Sequence, residues 1–383
     1  MPSLLPFFWV MPMISGAENA FDFFVQMHLT ERCNLACTHC YQEGRPGKEM
    51  TLEEIERGLG DIYDTVRSWS ETYEIPFAPS FNVTGGEPFL RKDLADILRG
   101  ISRYGFACYL LTNGTLVDRE RARMLADLAV RGVQVSVEGP EGIHESIRGK
   151  GSFSSAMRGI DHLLAAGVTV TMNVTLSELN GDLFPDIVTL AAGAGLQRLG
   201  FSRLVPYGRG SALTGKMLGR ERLRDLYEGI LSLAVPGLEI ATGDPLATQL
   251  GDGGPEMDPD APALGGCAAG ISGITVLPDG TLTPCRRMGI PIGNILKEGL
   301  REVWANSEVL AALRDRKSYS GRCRNCARWP GCRGCRAIAY AYSLSRGGCD
   351  FLGEDPQCFL EAVSGSRSQA EGRETETSHI CEK

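Results

Sequence analysis

The sequence lacks any apolar run long enough to cross a membrane, and it has no excess of positive charge. Its 383 residues include 39 lysines and arginines against 47 aspartates and glutamates, giving a formal net charge of -8. A general nucleic-acid binder would show a basic face instead. The five histidines show no spacing typical of metal ligands. We therefore expect no membrane span, no nucleic-acid partner and no histidine-based metal site.

The N-terminal segment, residues 1–23, also lacks the features of a targeting signal. Residues 4–10 are apolar, but no basic stretch precedes them, and Pro6 and Pro12 interrupt the region. We interpret it as a segment that packs against the body of the protein.

Cysteine, in contrast, is abundant. A disulfide scaffold with 13 cysteines would be typical of a short secreted chain, and this chain is long and carries no clear secretion signal. The cysteines are also clustered, three within residues 33–40 and eight within residues 267–358. Clusters at such short intervals indicate metal ligation in a reducing compartment, and we expect a cytoplasmic protein.

The first cluster holds three thiols within eight residues and is followed at once by the aromatic Tyr41. Three thiolates cannot saturate a four-ligand centre, so an iron–sulfur cluster held by them keeps one iron open for a substrate or cofactor. The alternative is a structural zinc site that takes a fourth ligand such as His39. The C-x3-C-x2-C spacing favours the iron–sulfur cluster. Its predicted ligands are Cys33, Cys37 and Cys40.

Residues 24–235 alternate between strand-like and helix-like segments. One helix is predicted from Thr51, where Thr51 and Glu54 form a capping-box pattern. Six strand–helix units of this kind predict right-handed crossovers and a parallel sheet. Six is fewer than the eight units of a closed barrel. The fold class is therefore α/β, a partial (β/α)6 barrel with a C-terminal cysteine-rich iron–sulfur domain.

Polar, glycine-rich turns follow the predicted strands, at the end where parallel α/β folds bind their ligands. The three thiols follow strand one, and Gly85-Gly86-Glu87 follows strand two, so both groups are expected on one rim. Two glycines and a carboxylate suit a bound amine. The alternative for the glycines is a tight strand-to-helix turn.

The second cysteine set follows a break in this alternation. Residues 236–262 include an acidic stretch rich in glycine and proline, typical of a linker. A β-hairpin is predicted within residues 273–283, and the cysteine-rich domain spans residues 263–362. The polar tail, residues 363–383, is expected to be disordered. Eight cysteines make two four-ligand sets, for iron–sulfur clusters or for two zinc ribbons: Cys267, Cys285, Cys323, Cys326, Cys332, Cys335, Cys349 and Cys358.

The first motif, with Gly85-Gly86-Glu87-Pro88 placed 45 residues after its last cysteine, resembles the radical S-adenosylmethionine (radical SAM) superfamily. In that family three cysteines bind a [4Fe-4S] cluster whose open iron is chelated by the methionine amine and carboxylate of S-adenosylmethionine. Reductive cleavage of the cofactor then gives a 5′-deoxyadenosyl radical that abstracts a substrate hydrogen. The resemblance implies that Tyr41 flanks the adenine and that Gly85, Gly86 and Glu87 meet the amine.

Further rim positions match the family more weakly. Ser136 and Glu138 correspond to a strand-four segment that contacts the ribose, although the family usually has Asp where this chain has Glu138. Arg148 stands where related enzymes carry an arginine for the cofactor carboxylate. Asn173, near the end of strand five, is also implied to face the cofactor.

The C-terminal cysteines resemble a SPASM domain, which carries two auxiliary [4Fe-4S] clusters. The family pattern assigns Cys267, Cys285 and Cys335 to the first cluster. It assigns three cysteines and one late cysteine to the second: Cys323, Cys326, Cys332 and either Cys349 or Cys358. We favour Cys358, because residues 355–358 resemble the ending of haem-pathway enzymes. If Cys349 is not a ligand of the first cluster, that cluster has an open iron. This chain departs from the family in having two residues, not three, between Cys332 and Cys335.

Such enzymes mostly modify ribosomally made peptides or protein side chains, so the resemblance implies a peptide maturase. The alternative is decarboxylation or removal of tetrapyrrole side chains in the haem pathway, and a third hypothesis is a non-catalytic metal-binding scaffold. The expected partners are a peptide or protein substrate, a separate peptide-recognition protein, and a reductant such as flavodoxin or ferredoxin.

Overall fold

The computed structural model describes residues 20–44, 47–250, 263 and 265–360. Most of the N-terminal segment 1–23, about half of the linker 236–262 and the tail 363–383 lie outside the described residues. Within the described part of the chain, no helix combines the length and apolar character that a membrane span needs.

Six parallel strands pair in the order in which they occur along the chain, which confirms the predicted partial barrel. A seventh short strand, β7 (Glu239–Ala241), adds to β6 in parallel inside the predicted linker. Strand β7 was not predicted, because three residues are too few to show a period. The six predicted strands are β1 (Phe21–His28), β2 (Phe77–Thr84), β3 (Ala107–Thr112), β4 (Gly132–Ser136), β5 (Val170–Leu176) and β6 (Arg198–Arg203).

Helices connect these strands. The first begins at the predicted capping box, in which Thr51 Oγ1 accepts from the Glu54 amide and the Glu54 carboxylate accepts from the Thr51 amide. The short helix α4 was not predicted; it directly precedes α5 and ends on Arg148. The barrel helices are α1 (Leu52–Tyr73), α2 (Leu94–Arg103), α3 (Arg119–Asp127), α4 (Glu141–Arg148), α5 (Ser152–Ala165), α6 (Phe184–Gly193) and α7 (Arg220–Leu231).

The predicted C-terminal hairpin is present and extends the barrel sheet. Its strands are β8 (Gly273–Val276) and β9 (Thr281–Thr283), and β9 pairs with β10 (Gly293–Asn294). Strand β8 lies parallel to β1, so the described residues form a ten-stranded sheet that crosses both parts of the chain. The helices that follow are α8 (Leu300–Asn306), α9 (Glu308–Arg314), α10 (Gly321–Arg324) and α11 (Arg336–Leu344).

Two apolar clusters hold this arrangement together. The larger one fills the space between the barrel strands and their helices and includes Ile274 and Leu282 of the hairpin. The smaller one gathers α9, α11, Trp329 and Phe351, with Cys267 and Cys285 packed against it. The cysteine-rich part therefore has a core of its own but shares a sheet with the barrel.

Candidate active site

The carboxyl ends of the barrel strands open into one cavity, which gathers the predicted cofactor residues of both rim motifs. Two predicted residues, Glu87 and Glu138, are fully buried beneath the rim and do not line it. The predicted residues that do line the cavity are Cys33, Cys37, Cys40, Tyr41, Gly85, Gly86, Ser136, Arg148 and Asn173.

The glycine pair after β2 packs directly on the backbone that leads into Cys33. The amide of Gly86 donates to the Thr30 carbonyl at 2.7 Å, and the amide of Glu87 donates to the Arg32 carbonyl at 2.8 Å. A Cβ atom on Gly85, whose φ is +138°, would lie 2.5 Å from the Thr30 oxygen. One on Gly86 would lie 2.5 Å from the Arg32 carbonyl carbon and closer still to its oxygen. Only glycine permits this approach, so the pair positions the cysteine loop as well as lining the cavity.

The loop after β6 holds the cysteine segment from its other end. The Gly210 amide donates to the Cys40 carbonyl at 2.9 Å, and Arg209 Nε donates to the Cys37 carbonyl at 3.2 Å. Gly208 adopts φ +59°, and a Cβ there would overlap the backbone of Tyr41. This second clamp was missed, because nothing in a glycine-rich turn shows which segment it will touch.

Hydrogen-bond donors surround the three sulfurs. The Leu35 amide and Asn113 Nδ2 point at Cys33 Sγ, at 3.5 and 3.8 Å, and the Gln42 amide points at Cys40 Sγ at 3.4 Å. Donors of this kind stabilise thiolates that ligate iron and tune the cluster, so the residues fit the predicted group. No three His, Cys, Asp or Glu side chains of the described residues are gathered to chelate a single ion. The ligand assignments therefore stay predictions.

Glu87 organises the neighbouring turn. Its Oε1 accepts from Thr112 Oγ1 at 2.8 Å, and its Oε2 accepts from the Asn113 amide at 3.0 Å. Burial raises the pKa of this carboxyl, and these hydrogen bonds oppose that rise. With both oxygens engaged, Glu87 orients Asn113, which in turn donates to Cys33.

Glu138 and Arg148 form a buried ion pair, although the sequence analysis gave them separate contacts with the cofactor. Arg148 Nη2 lies 2.5 Å and Nε 2.8 Å from Glu138 Oε1, and Arg148 Nη1 points at Cys37 Sγ at 3.8 Å. Burial alone would raise the pKa of Glu138, but the charges of Arg148 and His39 hold it well below its usual range. Arg148 therefore connects the carboxylate to a cysteine sulfur.

His39 was not assigned a role from the sequence, apart from the alternative of a zinc ligand. Its Nε2 lies 3.2 Å from Glu138 Oε1, and its buried Nδ1 has no hydrogen-bond partner among the described residues. The ring of His39 is thus directed to the Glu138 carboxylate, whereas the zinc alternative requires one of its nitrogens to ligate the metal.

Tyr41 lies on the cavity wall with Arg286 over its ring, the guanidinium carbon 5.7 Å from the ring centroid. Burial raises the pKa of Tyr41 to about 12, so the phenol stays protonated. Ser136 ends β4, and Asn173, its partner in the neighbouring strand, lies in the middle of β5 and not near the predicted strand end. A Cβ on Gly200 would lie 2.8 Å from Asn173 Oδ1, so the missing side chain at 200 leaves room for the amide.

The C-terminal cysteines fall into two neighbourhoods. Cys335 has Cys267 and Arg287 as electrostatic neighbours, and Arg287 also has Cys285 as one. Cys323 has Cys326 and Cys358 as electrostatic neighbours, and Cys332 has Cys323 and Cys358. Cys267 and Cys335 are thus neighbours, as are Cys323, Cys326, Cys332 and Cys358. The assignment of each set to a cluster stays a prediction.

Cys349 differs from the other candidates. Its sulfur is in a disulfide bond, whereas the other ten predicted ligand cysteines are free. A ligand role for Cys349 would require reduction of that bond. Cys358 presents a free thiol next to Cys323 and Cys332, and the choice between the two late cysteines stays a prediction.

Gln249 was missed and lies at the second set. Its Nε2 is 3.5 Å from Cys332 Sγ and 3.6 Å from Cys358 Sγ, and burial raises the pKa of the Cys332 thiol to about 12. Because Gln249 falls in the predicted linker, the sequence offered no reason to connect it with cysteines far downstream.

Replacing Gln249 with leucine should lower the reduction potential of the second auxiliary cluster. Hydrogen bonds to sulfur stabilise the more negative reduced state. A net hydrogen bond is worth about 1 kcal/mol, and a tenfold change in a one-electron equilibrium is about 59 mV, so the expected fall is on the order of 50 mV. Potentiometric titration followed by electron paramagnetic resonance (EPR) measures it. Thr248→Val is the control, and an unchanged potential in Gln249→Leu would contradict the assignment.

A buried arginine at the end of β6 ties the two parts of the chain together. Arg203 Nε lies 2.7 Å from Asp244, and Arg203 Nη2 lies 2.8 Å from Asp355. Asp355 Oδ2 also accepts from the Cys335 amide at 2.8 Å. Burial alone would raise the pKa of Asp355, but Arg203 holds it below its usual range. Nothing in the sequence pairs Arg203 with Asp355, which lies 152 residues further along the chain.

Comparison with known proteins settles the family. The family model described as "Radical SAM superfamily" matches residues 27–191, and one described as "Iron-sulfur cluster-binding domain" (SPASM) matches residues 267–327. The mycofactocin maturase MftC of Mycolicibacterium smegmatis is 31% identical over 86% of this chain and 81% of its own length. The chain belongs to the radical SAM superfamily.

Other radical SAM proteins are similar over much of the chain. The AdoMet-dependent heme synthase of Oleidesulfovibrio alaskensis is 28% identical over 87% of this chain and 86% of its own length. The crystal structure of Streptococcus suis SuiB bound to S-adenosylmethionine shares the fold, with a TM-score of 0.68 and 18% identity over 89% of this chain and 78% of that one. The predicted family and fold class are thus confirmed.

The chain is therefore a radical SAM enzyme. Its cofactors are S-adenosylmethionine and a [4Fe-4S] cluster, and its SPASM domain binds auxiliary iron–sulfur clusters. Together the cluster and S-adenosylmethionine supply a radical that abstracts hydrogen. The protein's own part is to hold the cysteine loop between two clamps, to position Arg148 and to line the cavity.

Proposed function

We propose that this enzyme modifies a side chain of a ribosomally made peptide or protein by hydrogen abstraction, aided by its auxiliary clusters. The observation that carries the proposal is the position of Arg286 and Arg287. They directly follow Cys285, a predicted auxiliary ligand, and line the same cavity as Cys33, Cys37 and Cys40. A substrate in this cavity would lie between the radical source and an auxiliary site, which could accept an electron from it or ligate it.

Two comparisons support a peptide substrate. The relative from Mycolicibacterium smegmatis is named a maturase. SuiB, whose fold this chain shares, has also been solved with its precursor peptide SuiA.

The site assignments belong to the same proposal. The barrel cysteines hold the first cluster, and the cavity residues from Tyr41 to Asn173 bind S-adenosylmethionine. The two C-terminal sets, with Cys358 as the late ligand of the second, hold the auxiliary clusters.

Tetrapyrrole side-chain decarboxylation or removal is the second candidate. It is favoured by the heme synthase relative, which covers as much of the chain as the maturase does. A relative from Methanosarcina barkeri named Fe-coproporphyrin III synthase is 29% identical over 88% of this chain.

The remaining proposals concern organisation and partners. We retain a barrel in residues 24–235, a linker in residues 236–262 and an auxiliary domain in residues 263–362, with the added strand β7 inside the linker. A flavodoxin- or ferredoxin-like reductant, a separate peptide-recognition protein and a cytoplasmic location complete the proposal.

The experiment uses the reconstituted enzyme with S-adenosylmethionine and a low-potential reductant. Each short peptide encoded beside the gene is added in turn, and in separate reactions iron coproporphyrin III is added. We expect 5′-deoxyadenosine together with a mass change in one peptide. Cofactor cleavage that leaves every peptide unchanged in mass would overturn the peptide proposal. Loss of carbon dioxide from the porphyrin would establish the second candidate.

A further inference from the structure

Two consecutive arginines of the SPASM part reach into the cavity of the barrel. Arg286 and Arg287 follow β9 and Cys285, and both line the cavity beside Tyr41, Arg148 and the cysteine loop. They are more than 130 residues beyond Arg148 in the chain. They reach the cavity because β8 pairs with β1 and brings the hairpin to the barrel rim.

Of the three other arginines that line the cavity, Arg209 donates to the Cys37 carbonyl and the other two pair with carboxylates. Arg148 pairs with Glu138, and Arg203 pairs with Asp244 and Asp355. By contrast, no Asp or Glu oxygen of the described residues lies within 4.0 Å of a guanidinium nitrogen of Arg286 or Arg287. The two adjacent side chains therefore bring positive charge to the cavity wall without a paired carboxylate.

The contacts that these arginines make leave one donor of Arg287 unused. Arg286 lies over the ring of Tyr41 and forms a side-chain hydrogen bond with it. Arg287 is close to the sulfurs of Cys285 and Cys335, yet its buried Nε has no hydrogen-bond partner among the described residues. A buried cation with unmade hydrogen bonds is unfavourable unless an anion completes it.

We propose that Arg286 and Arg287 form a subsite that binds a carboxylate of the substrate. A guanidinium offers a planar fork of donors that matches a carboxylate in two-point contact. This inference rests on the proposed function, since it names the chemical group by which the substrate is held. The same group is present in S-adenosylmethionine, so the experiment must separate the two sources.

The test uses anaerobically purified holoenzyme in four forms: the unmodified chain, Arg286→Met, Arg287→Met, and Arg301→Met as the control on the exposed face of α8. Three probes are bound at equilibrium: S-adenosylmethionine, a pool of hexapeptides with free carboxylates beside the same pool fully amidated, and coproporphyrin III. Iron content and the EPR spectrum of each variant report whether the clusters are intact.

The unmodified enzyme should retain peptides with free carboxylates over amidated ones. Arg287→Met and Arg286→Met should weaken that retention about tenfold or more, with S-adenosylmethionine binding and cluster spectra unchanged, as in Arg301→Met. Loss of S-adenosylmethionine binding would overturn the proposal and assign the pair to the cofactor. A changed cluster spectrum with undisturbed peptide retention would overturn it in favour of charge compensation of the cluster.

The porphyrin separates this inference from the proposed function. If arginine-dependent binding is seen for coproporphyrin III and for no peptide, the carboxylate subsite stands and the peptide proposal fails. If the unmodified enzyme binds neither class of carboxylate, the subsite proposal itself is wrong.

Discussion

Replacing Gly86 with alanine should abolish binding of the first cluster while the auxiliary clusters remain. The new Cβ would lie 2.5 Å from the Arg32 carbonyl carbon, one residue before Cys33. Backbone cannot yield as a flexible side chain does, so the cysteine loop must move. Because β2 is firmly paired on both sides, the loop is the part that shifts. Iron and sulfide per chain should fall by about one [4Fe-4S] equivalent, with the cofactor-sensitive EPR signal lost.

Gly229→Ala is the matched control for that substitution. Gly229 lies within α7, and a Cβ there would meet no atom within 4 Å. Alanine in a helix interior is favoured over glycine by about 0.5–1 kcal/mol, so this variant should keep every cluster and gain slightly in stability. If Gly86→Ala retains the full iron content and the signal, the glycine pair does not position the cysteine loop.

The barrel was predictable because its signals are local. Parallel strands buried on both faces read as apolar runs between turns, and the Thr51–Glu54 capping pattern marked the start of α1. The carboxyl ends of parallel strands meet at one edge, so the cysteine motif and Gly85-Gly86 could be placed together from the alternation alone. The structure finds both in one cavity.

What the sequence could not show is how charges pair across that edge. Glu138 and Arg148 were assigned to different parts of the cofactor, yet they contact each other, because the unpredicted helix α4 ends on Arg148 beside the end of β4. Arg203 and Asp355 are 152 residues apart. Each is an ordinary charged residue in its own segment, and only the packed fold reveals them as a pair.

Among the substitutions considered, replacing Arg203 with methionine should cause the largest loss of stability. Arg203→Met removes a side chain that is 1% exposed. The carboxylates of Asp244 and Asp355, themselves 5% and 0% exposed, then lose the guanidinium with which both form an ion pair. Breaking a buried pair by removing one partner costs about 3–5 kcal/mol, a large part of the 5–15 kcal/mol that stabilises a typical domain. The urea midpoint of the holoprotein, measured anaerobically, should fall accordingly.

Arg198→Met on the same strand provides the comparison. Arg198 pairs with Glu239 at 3.0 Å, but both side chains are partly exposed, at 27% and 44%, so its loss should cost at most about 1 kcal/mol. Arg203→Lys keeps the positive charge, and its urea midpoint should lie between those of Arg203→Met and Arg198→Met. Equal urea midpoints for Arg203→Met and Arg198→Met would show that the buried pair does not stabilise the fold.

The pH dependence gives a second, independent readout of Arg203. In the unmodified chain Arg203 lowers the pKa of Asp355 against the effect of burial. That stabilisation is present above the unfolded pKa of about 3.9 and is lost as the pH falls through the folded value. In Arg203→Met only the hydrogen bonds from the Cys335 and Gln357 amides still oppose the effect of burial, so the folded pKa of Asp355 should rise. The cost of burying the unpaired carboxylate disappears once the carboxyl is protonated. The difference in unfolding free energy between the two proteins should therefore narrow as the pH falls.

Asp355 also accepts a hydrogen bond from the Cys335 amide. The Arg203→Met variant should therefore lose auxiliary iron before it loses iron bound by the barrel cysteines.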